Sequence, residues 1–395
     1  MTHAHPHAHA LPLNRRGVLF GAAGLSLAYA GRAFADSAPG TRNKTVVVIA
    51  RGAMDGLSVT VPYGDANYRP LRGGLTIGAP GEANGALDLA EGFGLHPALA
   101  GLHALNGAGQ LRFAPAVAIP ARIRSHFDAQ DVLESGGSGR RINDGWLNRA
   151  IAAGGGRGLS IGSQTPLILR GAAETSSWAP GGAVDGEDRV VSLVQDLYAD
   201  DPLLGPSLAR GLQTESLASM SGEGATVGRN DMAGMGQAVA RLMQGEEGAD
   251  LVALSLDGWD THANQNGQIA TRLRQMDQVI DGLKRGLGDQ WGRTVVIVAT
   301  EFGRTARVNG TNGTDHGTAS SLLLAGGALK RGVLIGDWPT LADGKLFEDR
   351  DLAPTLDVRS VFKGVLRDHM GLDRVALDQT VFPDSADAAP VQGLV

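Results

Sequence analysis

The stretch 45–50, Thr-Val-Val-Val-Ile-Ala, is almost wholly β-branched and offers no polar face to water. Such a run predicts a strand buried on both sides, the kind found in parallel sheets covered by helices. Residues 111–119, 251–256 and 294–299 repeat the signal, and 321–324 repeats it more weakly. Between these runs, apolar spacing at three and four residues predicts helices over 97–105, 127–134, 145–152, 232–243 and 265–287. The alternation predicts an α/β fold, a doubly wound, mostly parallel sheet with helices on both faces. In such sheets ligands bind beyond the carboxyl ends of the strands, so the residues following each run are the candidates for function.

The first 35 residues read as a segment apart. Arg15 and Arg16 precede an uncharged stretch that runs to Gly31, and Ala33-Phe34-Ala35 is a small-x-small cleavage pattern. The segment resembles a twin-arginine export signal, with cleavage after Ala35, passage through the twin-arginine translocase and a periplasmic or secreted product. Its apolar run is shorter than the about 20 residues a resident membrane helix needs. Losing it leaves 32 basic against 41 acidic residues in the mature chain. No basic run exceeds pairs such as Arg140-Arg141, so nucleic acid is not an expected partner. Residues 36–395 are expected to form one α/β domain. Residues 170–230, rich in Gly, Ser, Asp and Pro, are expected to form a loop-rich excursion from it.

The chain contains no cysteine, which removes disulfides and thiolate metal sites together. Any metal must be held by nitrogen and oxygen ligands. The strand ends supply them. Asp55 follows the first run, Asp257, Asp260 and His262 follow the third, and Glu301 follows the fourth. Asp315 and His316 lie in a glycine-rich loop just before the next strand. Carboxylate beside imidazole at loop positions is what a divalent-metal site requires. Zinc, calcium or manganese is the expected kind of ion. Alone, each of these acids reads better as a turn residue binding backbone amides. Their convergence on one sheet edge favours the metal.

Ser125, His126 and Asp128 begin the helix expected at 127–134. Ser125 reads as a nucleophile or as an N-cap, and Asp128 as part of the catalytic set or as an acid suited to the first helical turn. His126 reads as general base, ligand or packing residue. Arg149 and Arg304 are candidate clamps for an anionic substrate, although arginines in loops more often pair with acids. Gly158-Leu159-Ser160-Ile161-Gly162 satisfies a nucleophile-elbow pattern, but the extended chain expected after it rather than a helix argues against that role.

The strings VVVIARGAMDGLSVTVPYGDANY, SHFDAQDVLESG, DGWLNR, SLDGWDTHANQ and EFGRTARVNGTNGTDHG together resemble a secreted bacterial family, domain of unknown function 1501. The resemblance spans residues 45–383. That family is similar to the alkaline phosphatase and sulfatase superfamily, which binds one or two divalent metals at strand ends and attacks phosphate or sulfate esters with Ser, Thr or a modified Cys. The resemblance implies an alkaline-phosphatase-like architecture. Asp55 matches the acid after the first strand, Ser125 the nucleophile, Asp257 or Asp260 with His262 one metal pair, and His316 the late histidine completing it. Glu301-Phe302 stands where the superfamily has Asp-His, and phenylalanine cannot ligate a metal, which puts a second metal in question. The expected function is metal-dependent hydrolysis of a phosphate or sulfate ester, acting on a small anionic ester or an envelope component. Two rivals are an exported binding or envelope-assembly protein that keeps the fold without catalysis, and a redox enzyme in which two His and one carboxylate hold non-haem iron.

Overall fold

A computed structural model describes residues 42–138, 142–162, 164–180 and 230–395, with scattered positions between 195 and 228. The export segment, its cleavage site and most of the 170–230 excursion lie outside the described residues. Eight strands form one sheet in the order β11-β5-β10-β9-β1-β8-β6-β7. They are β1 (Lys44–Arg51), β5 (Leu111–Ala118), β6 (Gly158–Ile161), β7 (Thr175–Trp178), β8 (Leu251–Asp257), β9 (Thr294–Ala299), β10 (Ser320–Ala325) and β11 (Leu356–Asp357). A small antiparallel sheet holds β2 (Thr60–Val61), β4 (Phe93–Leu95) and β3 (Leu87–Ala90). The helices that matter to the site are α1 (Gly56–Val59), α2 (Tyr68–Arg72), α3 (Ala100–Gly107), α4 (His126–Ser135), α5 (Trp146–Gly154), α6 (Met232–Leu242), α7 (Gln265–Leu287) and α8 (Val358–Met370).

The β1 run is buried as its composition requires. Val47 and Ile49 enter the apolar core on one face with α5 and α8, while Val46 and Val48 enter the core on the other with α3, α6 and α7. That is the period-two alternation of a strand covered on both sides. β1 runs parallel to β8 and β9, and β6 runs parallel to β8 and β7. The fold is therefore an α/β, doubly wound, mostly parallel sheet. Among the described residues no helix is long and apolar enough to cross a membrane.

β10 departs from the parallel pattern, pairing antiparallel with both β5 and β9. Its first residue, Ser320, lies opposite Val117 near the carboxyl end of β5. The loop preceding β10 therefore reaches the same sheet edge as the segments following β1, β5, β8 and β9. This reversal brings five stretches of sequence together. The short strands β6 and β7, four residues each, carry no strong periodic signal, and α8, whose apolar residues Val358, Val361, Phe362, Val365, Leu366 and Met370 do follow helical spacing, is not among the expected helices; all three are additions to the sequence reading. Ser160 of the G-x-S-x-G pattern lies inside β6 and is fully buried, so it is no elbow.

Candidate metal centre

The two most distinctive motifs pair with each other. Arg304 and His316 form an antiparallel bridge, Gly303 N–H donates to the Thr318 carbonyl at 3.0 Å, and Gly317 N–H donates to Gly303 at 2.8 Å. Gly303 is required at this crossing because a Cβ there would fall 1.7 Å from the Ala319 carbonyl oxygen. The segment after β8 docks on the same ribbon, with Thr314 N–H on the Thr261 carbonyl and Gln265 N–H on that of Asn312. Gly52, at a φ of 114°, lets the turn after β1 pass the Asp260 backbone, which a Cβ would meet at 2.7 Å.

Four side chains converge there. The Nε2 atoms of His126 and His262 lie 3.0 and 3.1 Å from Nε2 of His316. Asp260 Oδ1 is 2.9 Å from His262 Nε2 and 3.1 Å from His316 Nε2, and its Oδ2 is 3.4 Å from His126 Nε2. Each imidazole is engaged from behind. Nδ1 of His126 is 2.8 Å from the Glu301 carboxylate, Nδ1 of His262 is 3.1 Å from Asp315, and Nδ1 of His316 is 2.9 Å from the Arg124 carbonyl. A carbonyl or an ionised carboxylate only accepts, so the ring proton belongs on Nδ1 in all three. The three Nε2 lone pairs then face one another and a carboxylate, an arrangement that repels itself until a cation enters.

The separations suit such a cation. Metal–nitrogen bonds of about 2.0–2.1 Å in a tetrahedral site place the ligand atoms about 3.3–3.4 Å apart. Imidazole backed by carboxylate or carbonyl is also the usual outer arrangement of metal-bound histidine. His126, Asp260 and His316 thus form a donor set fitting one divalent ion, with His262 on its flank against His316 and Asp260 and with Glu301 and Asp315 engaging ring Nδ1 atoms.

The electrostatics follow from these contacts. The Glu301 hydrogen bond, opposed by burial, holds His126 above the ordinary histidine value. Burial drives the Glu301 carboxyl upward, but bonds from His126, Gln130 and the Gly52 amide more than offset it and leave the group below its usual range. Asp260 is likewise raised by desolvation and lowered further by Arg304, His262 and His316, with a net downward shift. The hydrogen bond from Asn309 is the main reason Asp315 also lies low. Phe302, where the family resemblance implies a histidine, is buried and stacks on His126 at a centroid distance of 4.9 Å, with His316 at 5.2 Å. It is an apolar wall fixing the ring planes.

Several expected residues stand elsewhere. Asp55 is not in the cluster. Its Oδ2 accepts from Arg72, from Gln265 and from the Ser58 hydroxyl at 2.7 Å, and both Asp55 and Arg72 are fully buried. An internal guanidinium occupies the role a metal was expected to fill. Asp257, at the exposed end of β8, lines a separate cleft with Arg51 and Ser255. Arg149 is no substrate clamp: it binds Asp144 at 2.6 Å and the carbonyls of Ser135, Thr380 and Val381, tying the C-terminal segment to α5. Arg304 is fully buried and donates to Asp260 at 2.6 Å and to the Thr314 carbonyl, so its guanidinium is engaged inside the fold. Ser125 is exposed at the start of α4 and its hydroxyl makes no capping bond, against the N-cap expectation. Asp128 is exposed in the first turn of the same helix. Sequence reasoning singled out Phe302 without its stacking role, and missed the Arg124 carbonyl and the Arg72 cation, neither of which carries a motif.

The chain belongs to the family described as "Protein of unknown function (DUF1501)", whose profile matches residues 112–381. Comparison with curated proteins finds no match. Solved structures similar to this chain include the C-terminal periplasmic domain of EcEptC from Escherichia coli in complex with Zn, at 10% identity and a TM-score of 0.38 over 87% of each chain. Alkaline phosphatase from the Antarctic bacterium TAB5 is 13% identical with a TM-score of 0.36, over 75% of this chain and 95% of that one. Phosphonate monoester hydrolase of Agrobacterium radiobacter is 9% identical with a TM-score of 0.39, over 84% and 74%.

Proposed function

We propose that this chain is a metal-dependent hydrolase of small phosphate or sulfate esters, exported by the twin-arginine route, with one divalent ion held by His126, Asp260 and His316 and with His262 beside them. The carrying observation is that His316 Nε2 lies 3.0 Å from His126 Nε2 and 3.1 Å from Asp260, which closes a three-residue donor set, while the Nδ1 of each of these histidines and of the adjacent His262 is engaged from behind. An ion there supplies Lewis acidity toward an ester oxygen. The protein's own groups do the rest. Glu301 and Asp315 keep the Nδ1 protons in place, Arg304 aims Asp260, and Phe302 excludes water from the backs of two rings. Asp260 and His262 are each nearly half exposed, so a ligand reaches the cluster from solvent. The first-turn amides of α4 favour an anion at its N-terminus, where Ser125 presents an uncommitted hydroxyl as the attacking group.

The mature chain, purified without affinity histidines and loaded with zinc or manganese, is expected to hydrolyse p-nitrophenyl phosphate, bis(p-nitrophenyl) phosphate or p-nitrophenyl sulfate, with loss of turnover on chelation. Ser125→Ala should remove turnover and leave stability within about 0.5 kcal/mol, because no cap bond is lost. No turnover of all three esters by the loaded protein, or turnover indifferent to chelator, contradicts the reading and favours a binding protein. Redox-active iron as the native metal would favour the redox rival.

A further inference from the structure

A cleft of about 580 Å³ opens where β1, β6 and β8 end, walled on one side by α4. That volume lies within the about 300–1,000 Å³ typical of small-molecule sites, and the carboxyl edge of parallel strands is where such sites form. Its wall is shared with the metal-ligand cluster. Gln130 accepts from Arg51 of the cleft at 2.6 Å and donates to Glu301 at 3.1 Å, the carboxylate behind His126. Phe127, next in sequence to His126, lines the cleft with 86% of its surface exposed.

The lining chemistry narrows the ligand. Arg51 and Glu134 neutralise each other. Asp131, Asp257 and Gln164 are exposed and have no hydrogen-bond or ionic partner among the described residues, while Arg170, anchored through Nε to the Thr165 carbonyl at 2.8 Å, adds donors. The remaining charge is two acids against one base, which disfavours an anion in the cleft itself. Uncommitted carboxylates also disfavour an apolar ligand, which would strip their water without replacing its hydrogen bonds. A neutral polyol meets every group: its hydroxyls donate to Asp131 and Asp257 and accept from Arg170 and Gln164, and its C–H face lies on the Phe127 ring.

We infer that this cleft binds a saccharide, the organic part of an ester whose anionic group reaches the metal centre; the second half of that statement rests on the hydrolase reading. The test is saturation-transfer NMR on the mature chain with maltotriose, cellotriose and chitotriose at millimolar concentration, and choline as a cationic control. Transfer to at least one trisaccharide is expected. It should be lost in the F127A/D131N/D257N variant, whose changes are all at exposed positions and should leave circular dichroism unchanged, and kept in the H262A/H316A variant. Silence from all three trisaccharides, transfer that survives the triple substitution, or transfer to choline alone overturns the saccharide cleft. Trisaccharide binding in a protein that hydrolyses no ester, including 6-sulfated and 6-phosphorylated glucose, keeps the cleft and removes the hydrolase reading. Ester hydrolysis without trisaccharide binding removes the cleft alone.

Discussion

Two carboxylates that follow neighbouring parallel strands have opposite fates. Asp55, after β1, is sealed from water with Arg72, and Ser58 and Gln265 crowd the same oxygen. Asp260, after β8, is nearly half exposed and faces three histidines. Each needs positive charge, and the fold supplies it differently. Arg72 is a covalently tethered cation, so the charge of Asp55 is met within the folded chain, while Asp55 Oδ1 and Arg72 Nε are buried without a hydrogen-bond partner among the described residues. Arg304 reaches only one side of Asp260, and the imidazoles on the other side offer lone pairs once their Nδ1 protons are committed. A sheet edge that could carry two ion sites therefore builds one salt bridge and one candidate metal-binding cluster. The regions touch through one side chain: Gln265 donates to Asp55 and accepts from Thr314, whose carbonyl in turn takes Arg304.

The largest effect expected from breaking this contrast is on stability. Arg72→Met leaves Asp55 buried without its cation and should cost about 3–5 kcal/mol in urea unfolding, whereas Asp55→Asn with Arg72→Met should recover much of that loss. A cost under about 1 kcal/mol for Arg72→Met would mean that the pair is not needed. Metal removal should leave that cost unchanged, since no ion is assigned to Asp55.

Substitutions in the exposed cluster should act on metal affinity instead. His316→Ala, which deletes one of the three candidate ligands, should weaken zinc binding by more than the about 10–100-fold typical of outer-shell changes, with little effect on metal-free stability. Asp315→Asn should fall within that 10–100-fold range, because it alters only the partner of His262 Nδ1. Equal zinc affinity in Asp315→Asn and the unaltered chain, measured by competition with a chromophoric chelator, would show that His262 is oriented by other means.

The smallest effect is the pH dependence. His126 is held above the ordinary value of about 6.5 by Glu301, so in the metal-free protein its contribution to stability is complete below that value. The contribution disappears as pH rises through the folded-state pKa. Zinc needs the Nε2 lone pair and competes with this proton, so affinity should rise over the same interval in which metal-free stability falls. Glu301→Gln should shift both curves to lower pH. Unfolding and zinc titrations across neutral pH check the opposed slopes.

The fold was legible where burial is two-sided. The runs at 45–50, 251–256 and 294–299 are strands, and the helices at 232–243 and 265–287 follow their apolar spacing almost residue for residue. The direction of β10 was not legible, because an apolar run is the same read either way. The site was legible as a set of segments rather than as roles. Asp260, His262 and His316 come together, and His126 joins them where sequence left ligand, base and packing equally open. Asp55 and Asp257 look alike in sequence, each an acid at a strand end beside glycine. Only the packing of α2, which delivers Arg72, sends one into the interior and leaves the other in a cleft. Arg304 is open in sequence between substrate clamp and pairing with an acid, and the structure gives it Asp260 and Thr314 as partners, which nothing local in the sequence identifies.

The most direct test is the metal stoichiometry of the mature chain, purified without affinity histidines, dialysed against buffered zinc and analysed by elemental mass spectrometry. The account predicts one equivalent per chain, lost in His316→Ala and retained in the Asp55→Asn/Arg72→Met variant. No bound metal, two equivalents, or one equivalent that survives His316→Ala would contradict it.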